Sequence, residues 1–262
     1  MNDFPVALSI AGSDNSAGAG IQADLKTFTF HQVYGLTALT CVVAEVPGQV
    51  TAIQPVAPEI VADQIRLSFQ AYPVAAVKTG LLYSRSIIEV ICDELEMHTL
   101  PLVIDPVMIA SSGDPLLRAD AVALYENRLF KRAAVVTPNL DETGVLLGRR
   151  ISTLDEMREA GLELTAKFGV AFLIKGGHLR GDQAVDLLFV DEEIHELNES
   201  YIHGVSTHGT GCTYSAAITA GLAKGLPLVE AVFAAKRFVT QSIARHFHWQ
   251  QDGMNTQALN HF

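Results

Sequence analysis

Short apolar runs alternate with stretches that repeat apolar residues every three or four positions along almost the whole chain. Val6–Ile10 predicts a buried strand, and Ile21–Phe30 the helix after it. Leu36–Val43 predicts a second strand, and Ile60–Phe69 returns to helical spacing. Ala75–Lys78, Leu102–Ile104, Ala134–Val136, Phe172–Ile174 and Leu187–Val190 read as further strands. Ile87, Ile88, Ile91 and Leu95 mark a helix, and others are predicted near 142–147 and 154–168, then over Thr213–Lys224 and Leu228–His246. Strands that are apolar throughout and separated by helices indicate a parallel sheet covered on both faces. With no repeat, low-complexity tract or composition break, the pattern predicts a single α/β domain over 1–262. Ligands of such sheets bind beyond the carboxyl ends of the strands, so candidate chemistry belongs there.

Composition narrows the function classes. The chain has 262 residues, 49% of them apolar, enough for one large core and against disorder. Eighteen basic against twenty-nine acidic residues give a formal charge of −11, which argues against nucleic acid or an anionic membrane as partner. Met1–Pro5 carry no basic n-region, and no stretch approaches the ~20 apolar residues of a membrane span. The three cysteines, Cys41, Cys92 and Cys212, have no metal-type spacing. Cys41 and Cys92 fall in apolar runs and read as core. The expectation is a reduced, cytoplasmic protein.

The strand ends carry the candidate chemistry. His208–Thr213 is a run of small residues opening onto a helix, where free N–H groups and the helix dipole favour an anion. Cys212 sits at that terminus, where a thiol is expected to ionise easily; the alternative is a Gly-rich turn with a small buried cysteine. After the first strand, Gly18, Gly20 and Ala23 satisfy a GxGxxA dinucleotide pattern, the basis of a dehydrogenase reading. The glycines stand about seven residues past that strand, so the loop suits a hydroxylated ligand better. Asp14 and Asp24 are polar ligands there, or simply turn and cap residues. Asn139 and Glu142 share one face of a helix start, either to hold a hydrated Mg²⁺ or to cap the helix. Lys175 before two glycines reads as a cation laid along phosphates, or as a plain turn.

Taken in order, AGSDNSAGAGIQADLKTF (11–28), VKTGLL (77–82), VIDPVMIASSGDPLL (103–117), TPNLDE (137–142), IKGGHL (174–179) and THGTGCTYSAA (207–217) resemble the ribokinase-like superfamily. Within it the chain is most similar to the hydroxymethylpyrimidine/phosphomethylpyrimidine kinases, from about Val6 to about Phe238. The resemblance implies a three-layer α/β sandwich with a mostly parallel central sheet, and transfer of the γ-phosphoryl of ATP, with Mg²⁺, to a hydroxymethyl group on a heterocycle and then to its monophosphate. It implies an anion hole at Gly209, Thr210, Gly211 and Cys212, with Cys212 where sugar kinases of the superfamily place an aspartate base. Asn139 and Glu142 fall on the Mg²⁺/phosphate motif, and Lys175, Asn139, Thr210 and Lys236 on the nucleotide side. Gly12, Ala19, Asp24, Glu45, Leu81 and Val107 align with the acceptor pocket, and Met108–Leu117 with a flap over it. A homodimer is implied too. The family's Ala-Gln-Asn-Thr stretch is replaced here by Ala44-Glu45-Val46-Pro47, and its Gly-rich ending is reduced. The nearest alternative substrate is the vitamin B6 ring of the pyridoxal/pyridoxine kinases, which share the superfamily. A ligand sensor that kept only the pocket would not need Cys212, Glu142 and Lys175 together.

Overall fold

The computed structural model describes residues 4–108, 119–177, 179, 182–206 and 208–262. Its first half runs β1 (Val6–Asp14), α1 (Gly20–Phe30), β2 (Tyr34–Val46), β3 (Gln49–Pro55), α2 (Pro58–Ala71), β4 (Val74–Thr79), α3 (Arg85–Glu96) and β5 (Leu102–Ile104). A short helix α4 (Ala119–Leu124) continues through a π turn and a 3₁₀ turn into β6 (Val135–Val136), α5 (Leu140–Leu147), α6 (Leu154–Phe168) and β7 (Phe172–Lys175). The remainder is β8 (Gln183–Val190), β9 (Glu193–Ser200), α7 (Thr210–Ala223), α8 (Leu228–Ala244), β10 (Phe247–Gln251) and β11 (Met254–Ala258).

One nine-stranded sheet carries the order β3-β2-β1-β4-β5-β6-β7-β8-β9. The six strands from β2 to β7 in that order are parallel, while β3, β8 and β9 join antiparallel at the edges. The strand pleat sorts the core. Leu102, Ile104, Phe172 and Ile174 pack with α2, α3, α5 and α6, whereas Val103 and Leu173 between them pack with α7 and α8. The edge strands β3 and β9 escape the apolar-run criterion because most of their side chains are exposed. The tail beyond His246 forms the separate hairpin β10–β11. Among the described residues no helix is long and apolar enough to cross a membrane.

Helix α7 positions the site. Its residues are small and buried on nearly every side, so it runs as a central rod against α1, α8 and the sheet. Gly221 lets the α8 backbone approach, since a Cβ there would lie 2.8 Å from the Ala231 Cβ. The N-terminus of this rod points at the carboxyl ends of the strands, beside β1 and β4, where the connections change direction.

Candidate active site

A cavity of about 750 Å³ opens at those strand ends. Its floor is the turn into α7. Gly209 caps the helix with φ of +80°, and a Cβ on it would lie 1.7 Å from the Gly18 carbonyl oxygen, so glycine alone fits. Thr213 N–H bonds the Gly209 carbonyl at 2.9 Å, and the preceding amides of Thr210, Gly211 and Cys212 have no acceptor within the helix. The Thr210 hydroxyl is buried without a partner among the described residues. A Cβ on Gly211 would stand 3.1 Å from Lys175 Nζ, so the missing side chain is what lets the ammonium lie against the bare amides. Donors and a cation converging this way suit an anionic group.

The cations on this side are held by carboxylates. Lys175 Nζ is 2.9 Å from Asp105 Oδ1, and Lys236 Nζ donates to Asp186 at 2.6 Å and to the Ala184 carbonyl at 2.9 Å. Asp186 also accepts from Gly176 N–H at 2.9 Å, which ties the turn after β7 to α8. Asn139 and Glu142 line the cavity, but as a reciprocal cap of α5. Asn139 Oδ1 accepts from Glu142 N–H at 2.9 Å, and Glu142 Oε2 from Asn139 N–H at 2.8 Å. Burial pushes the Glu142 carboxyl up to about 7, with Lys175 opposing and Asp105 reinforcing. Among the described residues no three His, Cys, Asp or Glu side chains form a metal cage.

Gly12, Ala19, Glu45, Leu81 and Val107 also line the cavity. Asp24 does not. It is fully buried below the floor, accepting from Lys78 Nζ and from Ser9 Oγ at 2.5 Å each, so its expected contact with an acceptor is corrected to a buried ion pair. Cys212 corrects a second expectation. Burial pushes its thiol up to about 11, with Asp24 and Asp105 adding; the Lys78 ammonium and the Gly20 N–H oppose this without overcoming it. His208 lies 3.0 Å from Asp14 Oδ2, which also accepts from Ala19 N–H at 2.7 Å. Burial works against ionisation, yet His208, Ser16 and the Ala19 amide hold the Asp14 carboxyl well below its usual range. The hydrogen bond to Asp14 raises His208 in return. Behind the turn, Thr213 Oγ1 and His261 Nε2 share a buried hydrogen bond of 2.9 Å, with Leu259 buried beside it. Of the expected flap, residues 109–117 lie outside the described residues.

The sequence profile of the family described as "Phosphomethylpyrimidine kinase" matches residues 14–257. The chain belongs to this family. The hydroxymethylpyrimidine/phosphomethylpyrimidine kinase of Rhizobium meliloti is 44% identical, over 94% of this chain and 99% of the relative. The pyridoxine kinase of Bacillus subtilis is 40% identical, over 94% and 92% of the two chains. The pyridoxal kinase of Staphylococcus aureus, solved with AMP-PCP and pyridoxal, superposes with a TM-score of 0.89 at 32% identity, covering 99% of this chain and 94% of that one.

For a member of the phosphomethylpyrimidine kinase family, four polar residues stand out beyond those expected: Asp105, Asp186 and His208 at the cavity, and Lys78 buried beneath it. Three of them left a signal, being charges at the end of or inside otherwise apolar strand runs, where an ionised group needs a partner. His208 left none, because its partner Asp14 is 194 positions away.

Proposed function

We propose that the chain transfers the γ-phosphoryl of ATP to the hydroxymethyl oxygen of 4-amino-5-hydroxymethyl-2-methylpyrimidine, and then phosphorylates the monophosphate, as a step of thiamine biosynthesis. One observation carries this reading: the bare amides of Thr210–Cys212 lie between Lys175 on one side and the acceptor pocket of Gly12, Glu45 and Leu81 on the other. A phosphoryl group passing between the two ends meets those donors midway. Phosphoryl transfer asks mainly for positioning and charge neutralisation, and the site offers both.

Cys212 stands at the junction of the two ends as the group that takes the hydroxyl proton. It rests as a thiol, and the buried Lys78 ammonium eases formation of the thiolate. Lys175 and the turn amides hold the phosphoryl oxygens, and the unpartnered Thr210 hydroxyl adds a donor. Mg²⁺ supplies charge neutralisation on the nucleotide phosphates. The carboxylates of Glu142 and Asp105 suit a hydrated ion held through water, since the Asn139 amide oxygen is engaged in the cap. Lys236 is placed on the nucleotide side of the same wall.

A coupled assay of ADP release with hydroxymethylpyrimidine, its phosphate, pyridoxal and no acceptor tests the assignment. The expected result is turnover with both pyrimidines, while turnover with pyridoxal alone would establish the second reading, vitamin B6 kinase, which the pyridoxine kinase relative favours. We assign the enzyme to the cytoplasm and to a homodimer, in which the half-exposed Val42 and Val46 on the outward face of β2 meet the second copy. Light scattering in solution checks the dimer.

A further inference from the structure

Glu45 is held differently from every other carboxylate named above. Strand β2 leaves its partner β1 at the pair Asp14–Val43 and continues as a hairpin with β3. The ladder slips between Ala44 and Glu45 because β3 carries Thr51 as an extra residue, while β2 keeps its alternation, so that Glu45 falls on the same face as Val43. Ala44 and Val46 face outward, whereas Glu45 lines the cavity, half-buried. Its own N–H donates to Asn15 Oδ1 at 2.7 Å, fixing the backbone against the loop after β1. The charged groups that face it are Asp14 from β1 and His208 from the segment before α7. Those two are already paired with each other. Among the described residues the Glu45 carboxyl has no cation of its own.

A carboxylate only accepts hydrogen bonds, while a carboxylic acid both donates and accepts. The 4-aminopyrimidine edge likewise offers one donor, the amine, and one acceptor, the neighbouring ring nitrogen. A carboxylate opposite that edge satisfies the amine and sets a lone pair against a lone pair. One added proton removes the conflict, whether it rides on the acid or on the ring, and the contact becomes a two-point hydrogen bond. We propose that Glu45 couples acceptor binding to the uptake of one proton from solvent, held in the complex between its carboxyl and the pyrimidine ring nitrogen. The proposal rests on the aminopyrimidine reading of the acceptor. Burial and the Asp14 charge both raise the Glu45 carboxyl, which favours that proton. The sign follows. Affinity is greatest between the two free pKa values, where one partner already carries the proton; it falls about tenfold per pH unit above the higher one, until the pKa of the complex is reached, and falls again below the lower one, where both partners are protonated.

The test is titration calorimetry of hydroxymethylpyrimidine into the nucleotide-free protein, between about pH 5.5 and 8.5 and in buffers of different ionisation enthalpy. The unphosphorylated alcohol is used so that no phosphate titrates. The parent is expected to take up close to one proton per ligand near pH 8, with Kd rising about tenfold per unit. Glu45→Gln, whose amide brings its own donor, is expected to take up none and to bind with a Kd that does not rise with pH. Binding by the parent without proton uptake, or equal uptake in both proteins, overturns the proposal and leaves the kinase assignment intact. Absence of pyrimidine binding in both proteins, with pyridoxal bound instead, overturns the aminopyrimidine reading and the proposal with it.

Discussion

The two ends of the cavity carry charge in opposite ways. At the end proposed for the nucleotide each cation rests on a carboxylate, Lys175 on Asp105 and Lys236 on Asp186, and hydrogen bonds lock the carboxylates further. On the acceptor side the Asp14–His208 pair neutralises itself, and Glu45 stands apart. The locked end suits a ligand that never varies, the triphosphate. On the proposed reading, a single residue change at the acceptor end should re-sort heterocycles without disturbing the transfer chemistry. Beneath both lies the buried Asp24–Lys78 pair, which is outside the cavity lining yet contributes to the potential at Cys212.

The sharpest way to break the contrast is Gly209→Ala. A methyl group 1.7 Å from the Gly18 carbonyl must displace the turn, so every acceptor should lose turnover together. An ADP-release assay that kept parental rates would show the turn is not shared by the two ends. Next is Cys212→Ala, expected to lower kcat by about 10²–10⁴. With the thiol protonated below about 11, parental kcat should rise with pH, by up to tenfold per unit between about pH 7 and 9, whereas Cys212→Asp should flatten the profile. A flat parental profile would remove the thiolate from the chemistry. Lys78→Met strands Asp24 in the core and is expected to cost about 3–5 kcal/mol in urea unfolding, with Asp24→Asn/Lys78→Met recovering most of it. Equal losses in the single and double variants would contradict the pairing. The smallest effect concerns His261, held neutral by burial, which lowers it to about 4. The unfolded chain binds that proton near its ordinary pKa of 6.5, so folding stability should fall as the pH drops from there toward 4. His261→Gln should remove part of that slope, and His31, lowered by burial in the same way, the remainder. Unchanged acid unfolding in His261→Gln would show that the Thr213 contact forms without the neutral ring.

How far the sequence reached follows from what each residue contacts. Leu102–Ile104 coincides with β5 because both faces of that strand are covered and every side chain is apolar. Val6–Ile10 was the legible part of β1, while Ala11–Asp14 continue the ladder with small and polar side chains that carry no hydrophobic signal. Gln49–Pro55 and Glu193–Ser200 are strands because the sheet offers an open edge, a tertiary cause that local pattern cannot contain. The floor turn and Lys175 were legible because glycine runs at strand ends have few other uses. Asp24 was misread because Lys78 reaches it from 54 positions away. Cys212 was misjudged because its helix terminus is written in the sequence and its burial is not.

The hydrogen bond between Thr213 and His261 has a consequence for biosynthesis. A ribosome delivers this chain from its amino end at roughly 5–20 residues per second. The strands that frame the cavity emerge long before the histidine that braces the turn into α7. A nascent chain can therefore assemble the sheet while that turn still lacks its last brace, and phosphoryl transfer should mature only as residue 261 clears the exit tunnel.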